Sequence, residues 1–277
     1  MENTLPRPDQ WTPEEMMQVR QVGKVQVAPD GRRVLYTVTT AVMNPEKSAY
    51  LTHIYVADAD GAHPFQLTFG DHSAILPQWS PDGECIAFVS ERSGKNEIYL
   101  IQVECGEARQ LTAAETGVGN FKWSPDGRLI AFTMPDLATE EEKNAQKSGD
   151  DARTVDRDFA MNHLWLAPVT PNDGAPNAPR RLTRGNFNVD PACPEGFNWS
   201  PDGQKIAFTH TPTPQQGSLW PLYGDLSTVD VESGHMAELV RSTDSAFSPL
   251  YSPDGEWLAY ALVEKPTCPG IPSAAPS

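Results

Sequence analysis

The chain has 277 residues and carries 21 Lys and Arg against 37 Asp and Glu, a formal charge of −16. That acidity excludes the clustered cations that grip nucleic-acid backbones or anionic membranes, and no run approaches the roughly 20 apolar residues of a spanning helix. The 26 Pro and 20 Gly favour short elements joined by tight turns over long helices.

In chain order, the first eight residues, Met1 to Pro8, lack the apolar core of a signal peptide. Thr12 as N-cap, Pro13 at the first helical position and Glu14-Glu15 in the first turn predict a short helix over about residues 12 to 20. Residues 1–22 form a leader. A block then begins that recurs along the chain. Its first, degenerate copy is Val27-Ala28-Pro29-Asp30-Gly31. The full copies are Trp79-Ser80-Pro81-Asp82-Gly83, Trp123-Ser124-Pro125-Asp126-Gly127, Trp199-Ser200-Pro201-Asp202-Gly203 and Tyr251-Ser252-Pro253-Asp254-Gly255. A short apolar run follows each: Val34-Leu35-Tyr36, Ile86-Ala87-Phe88, Ile130-Ala131-Phe132, Ile206-Ala207-Phe208 and Leu258-Ala259-Tyr260.

The block reads as a hairpin turn. Pro presets φ at the first corner, Asp accepts from its own backbone, and Gly takes positive φ without steric cost. The repeated residues Asp30, Gly31, Asp82, Gly83, Asp126, Gly127, Asp202, Gly203, Asp254 and Gly255 are therefore expected to be structural. The aromatics Trp79, Trp123, Trp199 and Tyr251 are expected to pack between units. The shortest unit shows the plan: a second strand near Ile86–Ser90, a third near Glu97–Val103, and a short fourth near Ala108–Leu111 ending in Gln110-Leu111-Thr112. Matching third strands are expected at His53–Ala57, His163–Pro168 and Leu226–Val231. Four short antiparallel strands per unit of about 45 residues predict an all-β chain of β-propeller blades, four complete and one partial, over residues 23–263. Residues 264–277, rich in Pro, Ser and Ala, have no strand pattern and read as a disordered tail.

Two segments break the repeat. Residues Met43 to Tyr50 read as a lengthened loop, and a charged insertion runs from about Pro135 to Ala160. Binding or catalysis needs asymmetry, so the candidate functional segments are Glu140–Asp158 and the loop Asn186–Phe197. The six His include no HxH or HExxH pair, and Asp58-Ala59-Asp60-Gly61 lacks the Glu that would close a calcium loop. No metal or cofactor is expected. The four Cys are widely spaced, and Cys85, in an apolar strand, is expected to be a buried thiol. A cytoplasmic location is expected.

The repeat resembles that shared by TolB-like proteins and the prolyl oligopeptidase family of serine peptidases. The leader Trp11 to Met17 and the segment Asp150 to Asp158 followed by Met161-Asn162-His163-Leu164-Trp165-Leu166 resemble the acylaminoacyl-peptidase-like branch of that family. The resemblance implies a propeller that gates short peptides into a C-terminal α/β-hydrolase domain. Here no Gly-x-Ser-x-Gly elbow occurs, and no catalytic residue can be assigned. The expectation is a non-catalytic propeller portion, inactive alone, whose open blade faces self-associate. A stand-alone TolB-like binding scaffold is the alternative. No nucleic acid or membrane is expected as a partner.

Overall fold

The computed structural model describes residues 12–43, 48–104, 106–137, 148, 160–169, 176–189, 195–212, 224–240 and 245–263. These divide into one unit running through Thr112 and a second formed by most of the chain from Ala113 onward.

The first unit opens with helix α1 (Pro13–Met17). The Thr12 hydroxyl accepts from Glu15 N at 3.1 Å and the Glu15 carboxylate accepts from Thr12 N at 2.8 Å, a reciprocal N-terminal cap. The helix is shorter than expected because the chain is already paired as a strand at Gln21. Two four-stranded antiparallel sheets follow. One holds β1 (Gln21–Val27), β2 (Arg33–Met43), β3 (Ser48–Asp58) and β4 (Phe65–Gln66). The other holds β5 (Ile75–Trp79), β6 (Cys85–Ser90), β7 (Glu97–Gln102) and β8 (Arg109–Gln110). Leu35, Ile54, Ile86 and Phe88 are fully buried between them. Each such side chain contributes about 1.5–3 kcal/mol through burial. In the expected loop at Met43–Tyr50 the described residues, Met43 and Ser48–Tyr50, are strand: β2 and β3 stay in register out to Met43 opposite Ser48. The run is rich in Val, Thr and Tyr, which suit an extended ribbon.

The second unit holds three sheets. The first is β9 (Phe121–Trp123), β10 (Leu129–Pro135), β11 (Asn162–Pro168) and β12 (Arg180–Arg181). The next is β13 (Asn188–Val189), β14 (Phe197–Trp199), β15 (Lys205–Thr211), β16 (Asp225–Asp230) and β17 (Met236–Val240). Here β13 and β14 are two pieces of one first strand: both pair with β15, Val189 opposite His210 and Phe197 opposite Phe208. The last sheet has two strands, β18 (Ser245–Tyr251) and β19 (Leu258–Val263). The described sheets are thus four complete meanders and one two-stranded remainder, as the repeat predicts. Leu164, Phe197, Trp199, Ile206 and Phe208 form the core of this unit.

The pentads build one turn four times. Ser80 Oγ–H donates to Asp82 Oδ1 at 2.6 Å, Glu84 N donates to Asp82 Oδ1 at 3.0 Å, and Cys85 N donates to Ser80 Oγ at 2.9 Å. Gly83, at φ 76°, donates to Ser80 O. The same bonds recur at Ser124/Asp126/Gly127, Ser200/Asp202/Gly203 and Ser252/Asp254/Gly255. In the first copy Ala28 replaces Ser, so Asp30 keeps only the bond from Arg32 N, while Gly31 keeps its positive φ. The hydroxyl, then the backbone amide, holds the carboxyls of Asp82, Asp126, Asp202 and Asp254 below the usual carboxylate range.

The pentads also set how neighbouring sheets meet. Trp79, 5% exposed, donates its indole N–H to Gln26 O, and Trp199, 6% exposed, donates to Lys122 O, each at 3.3 Å. Tyr251 N instead takes Asn198 Oδ1. Cys85 departs from expectation. It is half-buried, because it opens β6 beside the turn, and burial pushes its thiol pKa up.

Candidate functional site

In an antiparallel meander the pentad turns lie at one end of each sheet and the connections from second to third strand at the other. The repeat-breaking residues gather at that other end of the third and fourth sheets. Asp136 follows β10 and Met161 precedes β11, so together they are the feet of the charged insertion. Asp136 N donates to Met161 O at 2.7 Å. The Asp136 carboxylate takes both Arg181 Nη groups, at 2.8 and 3.2 Å, which ties the root of the insertion to β12.

His163 stands beside this pair, fully buried, with Nε2 3.6 Å from Asp136 Oδ2 and Nδ1 3.2 Å from Thr183 Oγ1. Burial, and then the Arg181 charge, pushes its pKa down to about 4, so the imidazole is neutral near pH 7. Burial raises the Asp136 pKa, opposed by Arg181. Phe187 packs edge-on to His163 at 5.0 Å and against His210 at 4.7 Å. Asn188 Oδ1 accepts from both N and Nδ2 of Asn162.

The loop expected to matter, Asn186–Phe197, is thereby brought to the foot of the insertion through Phe187 and Asn188. Its far side is anchored by Glu195, which pairs with Lys122 at 3.0 Å. The other expected segment, Glu140–Asp158, lies outside the described residues apart from Ser148. The turn residues lie at the opposite end of their sheets. A groove of about 440 Å³ opens there, lined by Asp202, Lys205, Tyr251, Asp254 and Trp257. Asp202 and Asp254 are committed to their serines, and the groove offers an acidic, aromatic surface.

The site has little reactive chemistry. Thr183 Oγ1 accepts from Leu164 N at 2.9 Å and is committed to holding the strand. Ser227 Oγ lies 2.9 Å from His210 Nε2, but Ser227 is buried, and the His210 ring packs against Phe187 and Phe208. Among the described residues no three His, Cys, Asp or Glu converge as metal ligands.

The sequence reading missed one recurring feature. Each third strand carries a titratable residue at the same place, just before the residue that faces the landmark: His53, Glu97, His163 and Asp225. The amide of the next residue is held by the Thr of the Leu-Thr landmark in three of the four sheets: Ile54 by Thr68, Ile98 by Thr112 and Leu164 by Thr183. Val240 stands at that place in the fourth. Alignment of the third strands on the landmark Leu would have exposed the pattern.

Comparison with known proteins agrees with this architecture. A family profile described as TolB beta propeller domain, PD40, matches residues 21–159. An uncharacterized peptidase, YuxL, of Bacillus subtilis is 29% identical over 90% of this chain and 31% of its own length. A dipeptidyl-peptidase 5 of Porphyromonas gingivalis is 26% identical over 92% of this chain and 39% of its own. The chain thus spans between three and four tenths of these curated relatives. The solved acylaminoacyl peptidase of Pyrococcus horikoshii, 14% identical, superposes with a TM-score of 0.59 over 86% of this chain and 35% of that one, a likeness of fold.

Proposed function

Because the chain belongs to the TolB β-propeller domain family, we propose that it acts as the non-catalytic propeller portion of a serine peptidase of the prolyl oligopeptidase type. Its role is to restrict which peptides reach an α/β-hydrolase partner. The reading is carried by one observation: peptidase sequences align with nearly the whole chain, yet the chain accounts for only three to four tenths of each. The described residues at the insertion root, Asp136, His163 and Arg181, are tied up in structural contacts, which fits a gate. A cytoplasmic site of action belongs to this reading. So does association of the isolated chain through exposed apolar faces, with Trp257 73% exposed, Leu250 58% and Val22 66%.

The test is a chimera in which this chain replaces the propeller portion of the Porphyromonas dipeptidyl-peptidase. The chimera is expected to cleave a dipeptide anilide and to spare a folded protein that the bare hydrolase portion attacks. Equal attack by both would contradict gating. Hydrolysis by the isolated chain, blocked by a serine-reactive inhibitor, would contradict the non-catalytic role. The family match also favours a second reading, a scaffold that binds a protein partner without any hydrolase. A partner recovered with the chain that has no hydrolase activity would favour it.

A further inference from the structure

Two described arginines lie over aromatic rings at the same end of their sheets, and they are partnered differently. Arg181, with Cζ 5.9 Å from the Trp165 ring, is neutralised by Asp136. Arg92, in the turn between β6 and β7, lies 4.8 Å from the Tyr99 ring and 5.3 Å from the Phe88 ring. Those rings are themselves stacked 5.8 Å apart. Arg92 Nε–H donates to Ser90 Oγ at 3.3 Å. Among the described residues no carboxylate pairs with Arg92. Glu97, across the hairpin from Ser90, is buried and accepts the Thr112 hydroxyl at 2.5 Å. The turn around Arg92 is exposed and Arg92 itself is half-buried.

His53 on β3 feels this cation. Burial and then the Arg92 charge lower its pKa, and its Nδ1 is buried with no hydrogen-bond partner among the described residues.

We propose that Arg92, held over the Phe88 and Tyr99 rings, binds the terminal carboxylate of a short peptide. The identity of the ligand rests on the peptidase reading, and the site rests on the geometry. With Nε spent on Ser90, the Nη1/Nη2 edge of the guanidinium is free, and its two donors match the two oxygens of a carboxylate. The stacked rings fix the plane of the fork, so little side-chain freedom is lost on binding. A singly charged carboxylate suits this place better than a phosphate, because Glu91 and Glu97 flank the arginine in a chain of charge −16. The site also departs from the repeat: the stacked pair Tyr36–Tyr55 holds the equivalent place in the first sheet, with no arginine described over it.

The experiment uses the full chain. Binding of trialanine and of its C-terminal amide is measured by calorimetry, and the His53 ring is followed by NMR with acetate as a second probe. The acid is expected to bind at least about tenfold more tightly than the amide, with the same loss in Arg92→Gln and a smaller one in Arg92→Lys. Acetate is expected to raise the His53 pKa in the wild type and not in Arg92→Gln. If Arg92→Gln fails to fold, the acid-against-amide comparison on the wild type decides. Equal binding of acid and amide, or binding unchanged in Arg92→Gln, would overturn the proposal. Acetate binding that needs Arg92, with no added affinity for trialanine, would remove the peptide and count against the peptidase reading alone. Absence of any carboxylate binding would remove the site and leave the chimera to judge that reading.

Discussion

Replacement of Trp199 separates the forces that join one sheet to the next. The ring is 6% exposed, sits in the core with Phe197, Ile206 and Phe208, and donates its indole N–H to Lys122 O at 3.3 Å. Trp199→Ala removes the whole ring from a packed site and is expected to cost about 3–5 kcal/mol. Trp199→Phe keeps most of the apolar contact and loses one hydrogen bond, so about 0.5–1.5 kcal/mol is expected. Trp257 is the internal control: at 73% exposure its replacement by Ala is expected to stay within about 0.5 kcal/mol. Urea unfolding followed by far-UV circular dichroism reads all three without relying on the altered fluorophore. With a slope of about 2–3 kcal/mol per molar, Trp199→Ala moves the midpoint down by roughly 1–2 M. A shift no larger than that of Trp257→Ala would refute the claim that the pentad aromatic joins the sheets.

The pentad turns are expected to be acid-sensitive. The carboxyls of Asp82, Asp126, Asp202 and Asp254 are held low mainly by their serines, so their contribution is complete above the unfolded value of 3.8 and disappears as pH falls through the lower folded values. Ser80→Ala, Ser124→Ala and Ser200→Ala should each flatten the fall of the urea midpoint below pH 4. His163 acts at higher pH. Its folded value of about 4 lies below the ordinary 6.5, so the unfolded chain binds the proton first and stability falls between pH 6.5 and 4, by as much as about 3 kcal/mol. Asp136, with a raised pKa, works in the opposite sense and offsets part of this. His163→Gln should remove the slope, as NMR titration and urea midpoints across that range would reveal. Asp136→Asn, which strips Arg181 of its paired carboxylate, is expected to cost about 1–3 kcal/mol in the same assay.

The repeat was legible because four of the five copies reuse one turn whose residue types have no cheap substitute: Gly203 needs positive φ, and Asp202 must accept from both Ser200 and Gln204 N. Strand limits were less legible. The third strand of the first sheet runs on to Ser48, well before His53, because pairing with β2 extends whatever ribbon the side chains allow. Cys85 looked buried from its apolar neighbours, but its place beside the turn leaves it half-open. At the site, Asn186–Phe197 stood out by breaking the repeat. Its partners did not, since Asp136, His163 and Arg181 are far apart in sequence and meet only when β10, β11 and β12 pair. Arg92 was hidden for the same reason: the rings beneath it lie on two strands.

Hydrogen exchange with peptide-level resolution tests the central claim, that each pentad launches a separate sheet, most directly. The account expects slow exchange across Cys85–Ser90, Glu97–Gln102, Lys205–Thr211 and Asp225–Asp230, which are interior strands, and fast exchange along Leu258–Val263, which pairs on one side only among the described residues. Protection of Leu258–Val263 equal to that of Lys205–Thr211, or continuous protection running through the pentad turns, would contradict it.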